Sequence, residues 1–384
     1  MSSILLTGSE AAAYGAKLAR IEVLSYYPIT PAFPAMERIS KFIEDGELQT
    51  QFVRVECDHS ALAAALGASL AGSRSFTVTN SQGLLYMTEV VYHTAGLRQP
   101  VVMAVANRAL SAPHSRFPEH GDAVSQDAAG WIQLFCESNQ EVLDTTVQAY
   151  RIAELCRLPV MVNYEGYIQS HTQEEEHVPD QHAVDEFLPF QRIAALDVNN
   201  PQGLNTVTSP EFYMDYKFQQ DEAMKGSLAV IETVAAEYKD RFGAAHDWHG
   251  AVEAYRTEDA EHVIVTMGSA VSDARIVVDQ LRDAGKKIGL LKIRAYRPFP
   301  TEAVRNQLNN CRLVTVIDKS IIFGSGGALA LDLKASLFGP QAPVINSFVV
   351  GLGGRDFGPQ EIAQLISRSE SQPPQTEAYQ WFGL

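Results

Sequence analysis

The run Pro100-Val101-Val102-Met103-Ala104-Val105-Ala106 constrains the fold most, because it is apolar at consecutive positions where a half-exposed strand would alternate. Such a run fits a parallel strand covered by helices on both faces. Phe76 to Thr79 and Leu158 to Asn163 repeat this β-rich character, and helical stretches at Leu84 to Gly96 and Trp131 to Cys156 alternate with them. The alternation predicts βαβ units around a central parallel sheet. Ala61 to Gly72 is built of Ala, Leu, Gly and Ser, too small for an exposed amphipathic helix; it reads as a buried helix suited to close packing against a sheet or another chain.

The pattern weakens from about Gln173 to His262. Gln173-Glu174-Glu175-Glu176 opens an acidic stretch, and Glu232 to His249 is largely polar without a clear apolar face, so this region reads as a long connector with some helix. A second alternating unit then runs to about Val350, with strands expected near Val263 to Thr266, Ile288 to Ile293, Val314 to Ile317 and Val344 to Val350. The chain is expected to be an α/β protein with two domains, over residues 1–235 including the acidic connector and 255–384.

Composition narrows the function classes. Thirty Lys and Arg against 46 Asp and Glu give a net charge of −16, which disfavours nucleic acid and anionic lipid as partners and favours a basic protein surface. The apolar runs are far short of a membrane helix, and the N-terminus lacks a basic region followed by an apolar stretch, so a cytoplasmic location is expected. Cys57, Cys136, Cys156 and Cys311 stand far apart with no C-x-x-C pair, which argues against an iron-sulfur cluster on this chain and for reduced, buried thiols. Gly324-Ser325-Gly326-Gly327 and Gly351-Leu352-Gly353-Gly354 each lack the third glycine of the dinucleotide fingerprint, and no phosphate-loop motif occurs.

Three segments of the first domain carry candidate chemistry. Tyr27-Pro28-Ile29-Thr30-Pro31 brackets one threonine between prolines after the Val23-Leu24-Ser25 strand; its hydroxyl is either fixed for binding or caps the helix beginning near Pro31. Glu56 ends the alternating strand Gln51 to Val55, where α/β active sites form. Flanked by apolar helix and strand it would be partly desolvated and able to share a proton with a nitrogen base; the alternative is a surface acid or helix cap. Arg108 closes the strongest strand and is either a carboxylate binder or a solvated charge. The loop that follows holds His114, Arg116, Glu119, His120 and Asp122, and His114 and His120 match no metal-ligand spacing, so no metal is expected here.

Taken together the segments are more specific than any one. Tyr27 to Pro31, Val55-Glu56-Cys57-Asp58-His59-Ser60-Ala61, Ser81-Gln82-Gly83-Leu84, Asn107-Arg108-Ala109, Gly130-Trp131-Ile132-Gln133, Ser138 to Val142, Leu158 to Val162 and Glu165-Gly166-Tyr167-Ile168-Gln169-Ser170-His171-Thr172 resemble, in order and spacing, the α subunit of the pyruvate:ferredoxin oxidoreductase family. Met267-Gly268-Ser269, Tyr296-Arg297-Pro298-Phe299-Pro300 and Gly351 to Asp356 look like that family's transketolase C-terminal-like domain.

The resemblance implies a thiamine-diphosphate pyrimidine-type domain and a CoA-dependent oxidative decarboxylation of a 2-oxoacid to acyl-CoA and carbon dioxide. Electrons would pass through iron-sulfur clusters in partner subunits to ferredoxin or a similar acceptor. Thiamine diphosphate would be shared with a β subunit holding the diphosphate and Mg²⁺, and γ and ferredoxin-like δ subunits would complete the complex. The chain has Gly121-Asp122-Ala123 but no Gly-Asp-Gly, so the diphosphate half is expected on another chain. Residue by residue, Glu56 resembles the glutamate that bonds the aminopyrimidine nitrogen and favours the tautomer that activates the cofactor, with Ile29 and Gln82 as further cofactor contacts. Thr30 resembles the threonine that contacts the 2-oxoacid, and Arg108 the arginine that binds its carboxylate. After Arg108, Ala112-Pro113-His114-Ser115-Arg116-Phe117-Pro118 departs from the pattern of pyruvate-specific relatives, and Cys57-Asp58 from the commoner Ser-Glu. An aromatic 2-oxoacid such as phenylglyoxylate therefore competes with pyruvate, with NAD linkage through another subunit as a further variant. A self-contained transketolase-type enzyme and a non-catalytic assembly subunit are the remaining rivals.

Overall fold

A computed structural model describes residues 2–192, 196–205, 207–339, 342–371 and 378–384. In chain order its strands are β1 (Ser2–Thr7), β2 (Val23–Tyr26), β3 (Gln51–Arg54), β4 (Ser75–Thr79), β5 (Val102–Asn107), β6 (Ile132–Phe135), β7 (Val160–Glu165) and β8 (Gln173–Val178). There follow β9 (Val252–Tyr255), β10 (His262–Thr266), β11 (Ile288–Ile293), β12 (Ala295–Arg297), β13 (Leu313–Asp318), β14 (Val344–Val349) and β15 (Gln380–Trp381).

The larger sheet has the order β12-β6-β7-β5-β4-β2-β3, and all but β12 run parallel. Its central strands are buried at every position, and alternate residues of the β5 run serve opposite faces. Val102, Ala104 and Ala106 enter one core; Val101, Met103 and Val105 enter the other. This is why no polar position interrupts the run. The second sheet, β15-β14-β13-β10-β11-β9, is parallel except for β9 and is built the same way, with Val263 and Val265 on one face and Ile264 on the other.

Three stretches differ from the sequence-based expectation. Trp131 to Cys156 is not one helix: β6 comes first, and Ser138 caps a helix over Asn139–Cys156 by accepting from the Glu141 N–H at 3.2 Å. The connector is more ordered than its charge implies, because β8 pairs antiparallel with β1 and a 33-residue helix spans Pro210–Phe242. That helix does have an apolar face, since Ile231, Val234, Ala235, Tyr238 and Phe242 are buried at helical spacing while charged residues fill the other faces. The small-residue helix covers Asp58–Leu70 and buries only one side, Ala61, Leu62, Ala65, Leu66 and Ser69, with Ala63 and Gly67 exposed opposite.

The two sheets are joined. β12 leaves the second sheet's run of chain and pairs with β6 at the edge of the first. Beside it, buried Glu141 accepts from Lys292 Nζ at 2.8 Å and Arg294 Nε at 3.0 Å, a charge-paired contact between the two halves.

Candidate active site at the carboxyl ends of the strands

Parallel strands deliver their following loops to one edge, so the segments after β2, β3, β4 and β5 converge there. After β2, Tyr26 Oη accepts from the Ile29 N–H at 3.3 Å, which leaves Ile29 half-buried and Thr30 exposed. The next helix begins at Phe33 with Ala32 as its cap and no side-chain capping bond. Thr30 is therefore not an N-cap; its carbonyl instead accepts from Arg108 Nη1 at 2.7 Å.

Arg108 is only 8% exposed. Its Nε donates to the Ser115 carbonyl at 3.1 Å and its Nη1 also approaches Asn80 Oδ1 at 3.5 Å, so the guanidinium is aimed by three loops. Burial lowers it from the usual arginine range. Its backbone is set by Asp122, which sequence reasoning placed only among unassigned loop residues. The buried Asp122 carboxylate accepts from the N–H groups of Ser81 (2.8 Å), Arg108 (2.9 Å) and Ala123 (2.8 Å) and from Asn107 Nδ2 (2.9 Å). One carboxylate thus ties the ends of β4 and β5 together. Burial pushes it up, and the four donors oppose that.

Gln82 lies half-buried just beyond Ser81, which has φ 49, in the first turn of a helix over Ser81–Tyr86. A Cβ at Gly83 would stand 2.6 Å from both Asp58 Oδ1 and Thr79 Oγ1, so glycine is what lets this helix sit against buried Asp58. Glu56 differs from the expectation of partial burial: β3 is the sheet edge, and within this chain the carboxylate is exposed. It accepts from Ser60 Oγ at 2.5 Å, and that bond holds it below its ordinary range. Cys57 is half-buried, whereas Cys136, Cys156 and Cys311 are buried free thiols.

A second carboxylate lies deeper. Glu165, the last residue of β7, is buried and accepts from His120 Nε2 at 3.0 Å, the Ser269 N–H at 3.2 Å and Lys319 Nζ. Burial pushes this carboxyl up, but Lys319 and His120 outweigh it and hold it well below the usual range. Ser269 and Lys319 follow β10 and β13, so the carboxyl ends of the two sheets meet at this group. A Cβ at Gly268, where φ is 71, would fall 2.9 Å from His120 Nε2 and 3.0 Å from Glu165 Oε1, which is why glycine stands there.

The set fits half of a thiamine diphosphate. An exposed carboxylate at a strand end, with half-buried Ile29 and Gln82 on neighbouring loops, matches the needs of an aminopyrimidine ring. Among the described residues no three His, Cys, Asp or Glu stand close enough to hold a metal ion, and the sequence contains no Gly-Asp-Gly.

The fold and this half-site define a thiamine-diphosphate-binding α/β protein. A family profile described as pyruvate flavodoxin/ferredoxin oxidoreductase, thiamine-diphosphate-binding, matches residues 14–236, and pyruvate:ferredoxin oxidoreductase core domain II matches residues 260–362. The chain belongs to the pyruvate:ferredoxin oxidoreductase family. It is 44% identical over 383 residues to pyruvate synthase subunit PorA of Methanothermobacter thermautotrophicus, covering 99% of this chain and 98% of that one. Ketoisovalerate oxidoreductase subunit VorA of Pyrococcus horikoshii is 37% identical, with 94% and 92% covered. Among solved structures, the 2-oxoglutarate:ferredoxin oxidoreductase of Magnetococcus marinus superposes with a TM-score of 0.76 at 20% identity, over 96% of this chain and 65% of that one. This chain therefore spans about two thirds of that protein's length. A split-gene transketolase superposes at 0.55 and 11% identity over 95% of this chain and 98% of that one, a likeness of fold.

Proposed function

We propose that this chain is the α subunit of a CoA-acylating 2-oxoacid:acceptor oxidoreductase, with pyruvate as its substrate and ferredoxin or a similar protein as acceptor. Overall, a 2-oxoacid and the thiol of coenzyme A give an acyl thioester, carbon dioxide, one proton and two electrons. The observation that carries the reading is the convergence of Thr30, Glu56, Gln82 and Arg108 on one strand edge, with Arg108 bonded to the Thr30 carbonyl. The high identity to PorA proteins supports pyruvate over the aromatic alternative.

Bound thiamine diphosphate supplies a carbon nucleophile and an electron sink. Glu56 holds or releases a proton at the aminopyrimidine nitrogen, and it ionises readily because Ser60 stabilises its charge. Ile29 and Gln82 contact the same ring. Arg108 binds the carboxylate of the 2-oxoacid and the Thr30 hydroxyl contacts the same acid, which orients the carbon that reacts. Because that carboxylate must leave as carbon dioxide, Arg108 should bind it well enough to orient it without stabilising the ground state too strongly.

The exposure of Glu56 on an edge strand, beside the open small-residue face of Asp58–Leu70, supports a second chain covering it. In our reading a β subunit brings the diphosphate site and Mg²⁺, and γ and δ subunits bring iron-sulfur clusters. No helix among the described residues is long and apolar enough to cross a membrane, and we assign the complex to the cytoplasm. We divide the chain at residues 1–235 and 255–384.

The test is to purify the native complex through a tag on this chain and follow anaerobic, CoA-dependent viologen reduction. Pyruvate, 2-oxoisovalerate, 2-oxoglutarate and phenylglyoxylate are compared side by side. Pyruvate is expected to be preferred. Preference for phenylglyoxylate would assign the altered loop to an enlarged pocket, and no reduction by a complex retaining iron and thiamine would leave the assembly-subunit reading standing.

A further inference from the structure

The segment after β7 is not used by the proposed chemistry, yet it holds a local strain next to Arg108. Gly166 extends the ladder by donating to the Asn107 carbonyl at 2.9 Å, and a Cβ there would stand 2.7 Å from Pro31 Cγ and 2.8 Å from that carbonyl. The chain is thereby pressed against the Thr30-Pro31 turn. Tyr167 follows at φ 61 and ψ −44, and the Ile168 N–H donates back to the Gly166 carbonyl at 2.8 Å. This is a γ-turn of the rare, strained hand, and it is centred on a bulky aromatic residue where glycine would sit without strain. Strain of this kind gathers at functional sites and persists only where the surroundings hold it.

The surroundings here are specific. The Tyr167 N–H donates to Ser170 Oγ at 2.7 Å, its ring stacks on His171 at 4.7 Å and 21°, and Phe117 tilts against it at 5.4 Å. Phe117 is fastened to the arginine loop, its carbonyl accepting from the Ala109 N–H at 3.0 Å. Tyr167 is half-buried and Phe117 is 53% exposed, so the aromatic layer opens to the same edge as Arg108.

We propose that Tyr167, held between Phe117 and His171 by its strained turn, is the wall against which the substituent of the 2-oxoacid packs and is the residue that limits its size. This rests on reading the site as a 2-oxoacid site. The strain then has a purpose: it aims a flat ring beside the carboxylate binder.

The experiment compares wild-type, Tyr167→Gly and Tyr167→Phe complexes for kcat/KM with pyruvate, 2-oxobutyrate and 2-oxoisovalerate. Glycine suits this backbone, so the fold survives loss of the ring. Tyr167→Gly is expected to raise the 2-oxoisovalerate to pyruvate ratio by about 10-fold or more, carried by KM, the scale on which pockets sense one or two methylenes. Tyr167→Phe is expected to keep the ratio within about 2-fold of wild type, since the ring remains. An unchanged ratio in Tyr167→Gly overturns the proposal. If that variant does not assemble, Tyr167→Leu is judged by the same ratio. A wild-type complex that oxidises none of these acids overturns the site assignment instead, which separates the two failures.

Discussion

Glu56 and Glu165 both stand at carboxyl ends of parallel strands in one sheet, yet their surroundings are opposite. Glu165 closes a central strand, is buried, and is matched by His120 from its own half of the chain and by Lys319 and the Ser269 N–H from the second half. Glu56 follows the edge strand β3, is exposed, and is matched by one hydroxyl four residues away. The central position is completed within the chain, so its carboxylate is structural. The edge position is open to solvent within this chain, and the function proposed above places a second subunit over it.

Substituting each carboxylate environment sharpens this contrast. Glu56→Gln is expected to lower turnover of the assembled complex by about 1,000-fold, within the range for loss of a general acid-base group, while the melting temperature of the isolated chain stays unchanged. A matching loss of stability would break the distinction. Lys319→Met should do the reverse, costing about 3 kcal/mol in denaturant unfolding because it strips a buried charge of its main partner. The sign with pH follows: a carboxylate held low stabilises fully above its ordinary range and loses that contribution as pH falls through it, so the acid limb of the wild-type stability curve should flatten in this variant.

Two further carboxylates probe the space between these extremes. Glu176 on β8 is buried with neither oxygen hydrogen-bonded among the described residues, and burial pushes it up to about 8. A carboxyl raised on folding costs stability as pH climbs from its unfolded value to its folded one. Glu176→Leu should therefore raise the melting temperature by about 3 °C at pH 8 and hardly at pH 4. Glu119, half-buried in the arginine loop and bonded by the Gly353 N–H, is pushed up to about 7 by burial and by Asp122. Glu119→Gln should gain about 2 °C over wild type between pH 5 and 8, measured by calorimetry.

Much of this was legible in the sequence. Continuous apolar runs locate β4, β5 and β7 because burial on both faces leaves no polar position to confuse them. The 33-residue helix and β8 were obscured for the opposite reason: most of their positions face water, so charge hides the five or six residues that pack. Thr30 and Arg108 could be placed at strand ends because the prolines around Thr30 and the end of the apolar run before Arg108 mark where strands stop, whereas Gln82 was offered by the family resemblance alone. The exposure of Glu56 could not, since sheet order decides which strand is the edge and a βαβ pattern does not specify that order. The roles of Asp122 and Glu165 were hidden as well. Asp122 draws its donors from two separate loops, and Glu165 meets Lys319 across 154 positions of chain.

The short strand β12 has a consequence for the history of the molecule. By lending three residues of the second half to the sheet of the first, it removes the clean seam along which modules are exchanged. A half transplanted into another protein would carry away its neighbour's border and leave the β6 backbone unpaired, a template for aggregation. Lineages that rearrange this subunit are thus expected to move both halves as one cassette.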